Sequence, residues 1–211
     1  MWTATDPSES AQLVIPDGCI DLLWHAGNLL VAGPDTRAHT TTWSADSWTG
    51  LRLRCGIGQH IIGVPAHEIR DQRVPFAELL SASEARRFHT IVAASNDAGT
   101  ALEHIARQRL TEPPDTFGEV VFTMLQQGTK VSGLAAALGL STRQLHRRCR
   151  DTFGYGPKTL GKILRFNQAL SLSRSAHSLG DAAAQSGYAD QAHLARDARS
   201  LTGRTVTSLL A

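Results

Sequence analysis

The sequence predicts an α+β chain: a small β-rich N-terminal domain with helices, followed by an all-α domain made of tandem helix-turn-helix units. Three observations carry that prediction. A pattern of apolar helix, turn glycine and polar second helix occurs at 131–152 and again at 179–201. Short apolar runs bounded by Gly, Pro, Asn and Asp fill 13–64, which is the texture of strands and tight turns. Between the two textures, Glu112-Pro113-Pro114-Asp115 interrupts any helix, because a residue before proline is pushed towards extended backbone and proline itself brings no N–H. The expected domains are 1–112 and 113–211, since 211 residues of ordinary apolar content favour two small cores over a single large one.

In chain order, the first strands are expected around the turn Pro16-Asp17-Gly18-Cys19. Ile20, Leu22, Leu23 and Trp24 supply apolar strand material, Ala26-Gly27-Asn28 turns the chain, and 29–32 is the return. Further strands are predicted at 40–43, 50–55 and 60–64. Ser81-Ala82-Ser83-Glu84 has capping-box spacing ahead of a helix to about residue 95, and 101–110 is a second helix.

In the first C-terminal unit, Leu134, Ala135 and Leu138 form an apolar helix face and Gly139 stands where the chain must turn with positive φ. Ser141 is placed to cap the next helix or to touch a phosphate. In that helix Leu145 and Cys149 fall at i, i+4 and face inward, while Arg143, His146, Arg147 and Arg150 share the outer stripe with Thr142 beside them. The second unit repeats the arrangement through Ala182, Ala183, Gly187 and a helix from 190 to 201. Gly139 and Gly187 are 48 apart but Arg147 and Arg196, like Gly154 and Gly203, are 49 apart, so the second turn is expected to be one residue longer. A lone basic stripe is ordinarily only a solvated helix face. Two stripes behind matched turn glycines are what phosphate and guanine-edge contacts on double-stranded DNA require.

Between the units, Gly154-Tyr155-Gly156-Pro157 breaks the chain and Pro157 suits the first turn of a new helix, predicted over 158–174. Its apolar residues cover more than one narrow stripe, as befits a helix packed against two subdomains.

These residues resemble the DNA-binding domain of AraC/XylS-type transcription regulators. The likeness lies in Leu-Gly-Leu-Ser-x-Arg-x-Leu-x-Arg at 138–147, Gly156-Pro157, Arg165 with Ala169, and Gly187-Tyr188-Ala189-Asp190-Gln191-Ala192-His193-Leu194. The resemblance implies that each unit places its second helix in consecutive major-groove segments. Thr142, Arg143, His146 and Arg147 would then read bases or phosphates from the first unit, and Gln191, His193 and Arg196 from the second. The family usually has Phe where this chain has Cys149 and Ala198, and Pro where Val206 stands, so the second unit is expected to be the softer and the weaker partner on DNA. In the N-terminal part, Pro16-Asp17-Gly18-Cys19-Ile20-Asp21-Leu22-Leu23-Trp24, Ala32-Gly33-Pro34-Asp35-Thr36 and Arg73-Val74-Pro75 resemble the short, half-cupin-like β-rich domain of a subset of these regulators. That implies a sensory or dimerisation module.

Charge divides the same way. Residues 113–211 hold 12 Lys+Arg against 6 Asp+Glu, net +6, whereas 1–112 hold 9 against 13, net −4. The pull towards phosphate is therefore expected from the C-terminal half. His60, His67 and Glu68 form the one His/carboxylate cluster, without the same-face spacing of a metal site, and no nucleophile or paired-carboxylate arrangement stands out; neither a cofactor nor a metal is called for. Three cysteines far apart, no signal peptide and no membrane-spanning apolar run indicate a reduced, cytoplasmic protein without a membrane partner. Cys149 reads as a buried thiol, with a redox switch as the alternative. Trp24, Trp43 and Trp48 are core residues or else an aromatic box for a small-molecule effector. The leading function is a DNA-binding regulator whose N-terminal domain senses an effector or pairs two copies as a homodimer. The alternatives are a DNA binder whose N-terminal half docks a protein partner, and a metal-dependent enzyme.

Overall fold

A computed structural model of the chain describes residues 1–4, 11–42, 47–174 and 178–210. The N-terminal β-sheet domain contains β1 (Trp2–Ala4), β2 (Ala11–Val14), β3 (Ile20–His25), β4 (Asn28–Ala32), β5 (His39–Thr42), β6 (Trp48–Leu53) and β7 (Arg73–Pro75). Five strands form an antiparallel sheet in the order β1-β6-β3-β4-β7, and β2 pairs with β5 in a second, two-stranded sheet. Helices α1 (Gly58–Ile62), α2 (Ala82–Ala93) and α3 (Ala98–Arg109) accompany them.

Alternation along β3 sends Ile20 and Leu22 to one face, where they join Leu29, Val31 and Leu53 against Ile61, Ile62, Phe88, Leu102 and Ile105 in a single buried cluster. The opposite face carries Leu23 and His25, with Gly50 and Trp48 across from them on β6 and Trp2 on β1. The Trp2 indole lies flat on Gly50, where any Cβ would collide with it. His25 stacks on Trp48 at 3.8 Å and 4°.

α2 begins with both halves of the expected capping box, Ser81 Oγ accepting from the Glu84 N–H and the Glu84 carboxylate accepting from the Ser81 N–H. One expectation fails. The run at 60–64 is not a strand: Ile61 and Ile62 sit on a single turn of α1, both buried, and Gly63 stops it in the left-handed region at φ 87°. So short a run cannot by itself distinguish a strand from a buried helical turn, and here two adjacent side chains point into the same core.

The helical part follows: α4 (Phe117–Gln126), α5 (Val131–Ala137), α6 (Thr142–Phe153), α7 (Pro157–Ser173), α8 (Leu179–Gln185), α9 (Gln191–Thr202) and α10 (Val206–Leu210). Its buried cluster runs from Phe117 to Val206 and is centred on α7, whose Leu160, Ile163, Phe166 and Ala169 are fully buried. Pro157 opens α7 at its first turn, where the missing N–H removes no helical bond. Among the described residues, no helix is long and apolar enough to cross a membrane.

Candidate nucleic-acid interface

The first helices of the two helix-turn-helix units end in the same pair of hydrogen bonds. α5 ends in a Schellman turn, with Leu140 N–H donating to Ala135 O (3.0 Å) and Gly139 N–H to Ala136 O (3.1 Å); α8 ends with Tyr188 N–H to Ala183 O (2.9 Å) and Gly187 N–H to Ala184 O (3.1 Å). Gly139 and Gly187 have φ of 63° and 78°, a conformation that costs any residue with a Cβ. The connection is 138–141 in the first unit and 186–190 in the second, one residue longer, as the spacing predicts.

Each second helix is then capped by a side chain. Ser141 Oγ accepts from Gln144 N–H at 3.2 Å while Gln144 Oε1 accepts from Ser141 N–H at 2.9 Å. Asp190 Oδ1 accepts from His193 N–H at 2.7 Å. Both helices close on a left-handed glycine, Gly154 donating to Arg150 O and Gly203 to Arg199 O, each at 2.9 Å. Side-chain direction follows from these fixed ends. Leu145 and Cys149 in α6, and Leu194 and Ala198 in α9, are fully buried.

On the outer surface Ser141, Thr142, Arg143, His146, Arg147 and Arg150 are all exposed, as are Gln191 and Arg196. His193 is half-buried, its ring edge-on to Tyr188 at 5.0 Å, so it also serves as packing. His146 leans back along α6 towards Gly156, where a Cβ would fall 2.6 Å from its Nε2. Arg148, outside the predicted stripe, lies 3.9 Å over the Phe117 ring and bonds Asp115 at 2.7 Å.

The residues that hold α9 in place are ones sequence reasoning misses. Asp197, nearly buried, accepts from Arg165 at 3.2 Å and faces Lys162 Nζ at 3.4 Å, while Lys162 also donates to Ser200 at 2.8 Å. The Arg165 guanidinium stacks 4.5 Å above Tyr188, whose hydroxyl is pushed up to about 12 chiefly by burial. A polar position inside a reading helix gives no local sign of its partners on another helix.

The N-terminal domain grips both units from one side. Pro34 and the Ala66 carbonyl press on Gly154, Arg70 donates to Gly154 O at 3.3 Å, and His67 lies 3.3 Å from the Asp151 carboxylate. Ala38 N–H donates to Leu201 O at 2.7 Å near the end of α9, and Asn167 on α7 donates to Pro16 O at 2.7 Å. The expected His60, His67 and Glu68 cluster is thus divided, His67 turning to α6 while His60 bonds Gln59 at 3.0 Å. Among the described residues, no group of three His, Cys, Asp or Glu side chains is placed to hold a metal ion.

The aromatic box is also redrawn. Trp24 packs on the helix-covered face of the sheet, edge-on to His89 at 5.5 Å, whereas Trp48 lies on the opposite face. Trp43 lies outside the described residues. The cysteines differ in setting: Cys149 is buried, and burial pushes its thiol up to about 12, while Cys55 donates to Gly18 O at 2.9 Å beside Cys19.

Residues 134–211 match a family model described as a helix-turn-helix domain, and residues 1–75 match one described as a domain of unknown function. No curated protein matches the chain by sequence. Among solved structures, an apo variant of ToxT from Vibrio cholerae is 11% identical, with 95% of this chain and 92% of that chain covered at a TM-score of 0.50. A second ToxT crystal form gives 11%, 96%, 90% and 0.49, and unsaturated fatty acid-bound ToxT gives 10%, 95%, 86% and 0.47. The first of these shows a shared fold across nearly the whole chain. Joined to the paired turns and caps, the match over 134–211 makes the C-terminal part of this chain a helix-turn-helix domain.

Proposed function

We propose that the chain is a sequence-specific transcription regulator whose α6 and α9 enter successive major-groove windows of one duplex, governed through the N-terminal domain. The observation that carries this reading is the pair of outward-facing helices, each capped by a side chain and closed by a left-handed glycine, that pack on one helix, α7. In α6, Arg147 and Arg143 would contact guanine edges or phosphates, with Thr142, His146, Arg150 and Ser141 beside them; in α9, Gln191 would bond an adenine edge, Arg196 a guanine, and His193 would make a flanking contact. No enzymatic step is part of the reading.

Control through the N-terminal domain is supported by its contacts with the ends of both reading helices, at Gly154 and at Leu201. The sheet face bearing Trp2, Leu23, His25 and Trp48 has the flat aromatic character that suits a planar or apolar effector. Selection of bound sites from random duplexes tests the first part: the full chain should enrich two short blocks about 10 base pairs apart. Enrichment of nothing refutes it. Thermal shift of the full chain against planar, cationic and apolar small molecules tests the second, and a pull-down that captures a protein where no small molecule stabilises the chain would favour a docking module instead.

A further inference from the structure

A groove of about 640 Å³ lies between the two helix-turn-helix units, floored by α7. One wall is the approach to α5 at Lys130, and the other is the second unit's turn at Gln185 and Gly187. Four cations line it, Lys130, Lys158, Lys162 and Arg165, and among the described residues no acidic side chain does. Two of the four, Lys162 and Arg165, are held by Asp197. Lys130 and Lys158 are exposed, and among the described residues neither forms an ion pair.

Position gives this charge a use. In a helix-turn-helix the first helix crosses the nucleic-acid backbone and the turn delivers the N-terminal end of the reading helix to the groove. The wall at Lys130 is the start of such a first helix, and the wall at Gly187 is such a turn. The depression therefore faces the stretch of duplex that joins the two windows. We infer that this groove seats the phosphodiester backbone between the windows, with Lys130 and Lys158 as its direct phosphate partners. The inference rests on the reading that α6 and α9 engage one duplex. It adds a contact that recognises charge and not sequence, and it gives α7 a part in binding beyond its role as a spacer.

The test uses the full chain, a selected site and a random duplex of equal length, titrated from about 50 to about 200 mM salt. Each phosphate contact contributes about 0.9 to the slope of log affinity against log salt. The double variant Lys130→Ala with Lys158→Ala should lower that slope by about two, so that the salt increase weakens wild type roughly tenfold more than the variant. Affinity for the selected and the random duplex should fall by the same factor, leaving their ratio unchanged. Arg107→Ala, which removes an exposed cation on α3 that pairs with Glu103 and lies outside the groove, should leave the slope as it is. A selected site with neutral methylphosphonate links between the windows should weaken wild type but not the double variant. An unchanged slope, an altered ratio, or equal sensitivity of both proteins to the neutral links overturns the groove assignment while leaving the two-window reading intact. A wild type that binds neither duplex at the lowest salt overturns both.

Discussion

In the first helix-turn-helix unit the reading helix rests on rings and aliphatic chains: Leu145, Cys149 and Phe153 are buried with Tyr155, Phe117 and Leu160. In the second, the position matching Cys149 is Ala198, and α9 is held both by its buried Leu194, Ala198 and Leu201 and by one carboxylate, Asp197, shared by Lys162 and by Arg165, whose guanidinium lies over the Tyr188 ring. The Schellman bonds and closing glycines of the two units are the same, although the second turn is one residue longer and its cap is Asp190 in place of the Ser141–Gln144 box. Local bonds thus set the shape of a reading helix, and quite different interiors can hold it. An apolar interior loses stability in proportion to what is removed, whereas a nearly buried ion cluster fails when one member goes, because the remaining charges are left without compensation.

Asp197→Ala removes the anion that Lys162 and Arg165 share. It should cost about 2 to 3 kcal/mol in urea unfolding, below the full cost of breaking a buried pair because both cations are partly solvated, while Cys149→Ala at the matched position should cost about 1 kcal/mol. A larger loss for Cys149→Ala would reverse the contrast. On DNA, Arg147→Ala should cost about 2 kcal/mol of affinity for a selected site and Arg196→Ala about 1, as expected if Ala198 in place of a larger side chain makes the second unit the weaker partner. A gel-shift series in which Arg196→Ala costs more would make α9 the dominant reader.

The closing glycines sharpen the contrast further. Both are left-handed, yet a Cβ on Gly203 meets nothing within 4 Å, whereas one on Gly154 falls 2.5 Å from Pro34 Cγ. Gly203→Ala should therefore cost only the backbone strain, about 1 kcal/mol, and Gly154→Ala about 1 kcal/mol more, as read by thermal melting. Equal melting temperatures for the two variants would mean that the N-terminal domain does not press on the first unit. The smallest effect concerns the thiol that replaces a ring in α6. With its titration raised from 9.0 to about 12 by burial, Cys149 folds as a neutral thiol. Its contribution to stability is complete below about 9 and is lost as pH rises towards about 12. Iodoacetamide at about pH 8 should accordingly label the half-exposed Cys19 well before Cys149, in line with thiolate control of reactivity.

What could be read from the sequence was local. Gly139, Gly187, Ser141 and the inward pair Leu145 and Cys149 each act through neighbours within a few residues, and all are placed as the spacing predicts. The capping box at Ser81 and the proline opening α7 belong to the same class. The rest depends on distant parts of the chain. Ile61 and Ile62 form a helical turn because α3 lies opposite, Trp24 and Trp48 are separated by strand register, and Asp197, Lys130 and Lys158 acquire roles only once α7 lies between the two units. The His67 contact with Asp151 and the pressure of Pro34 on Gly154 join segments more than 80 residues apart, which no periodicity encodes.

If α6 and α9 at fixed separation read one duplex together, inserting a spacer between their two blocks should uncouple them. Affinity of the full chain would be measured for a selected site and for the same site with a single base pair inserted between its two blocks. A rigid pair predicts that the insertion weakens wild-type binding by more than Arg196→Ala does on the unaltered site, and that on the lengthened site Arg196→Ala costs little further. Undiminished wild-type binding to the lengthened site would contradict simultaneous reading by α6 and α9.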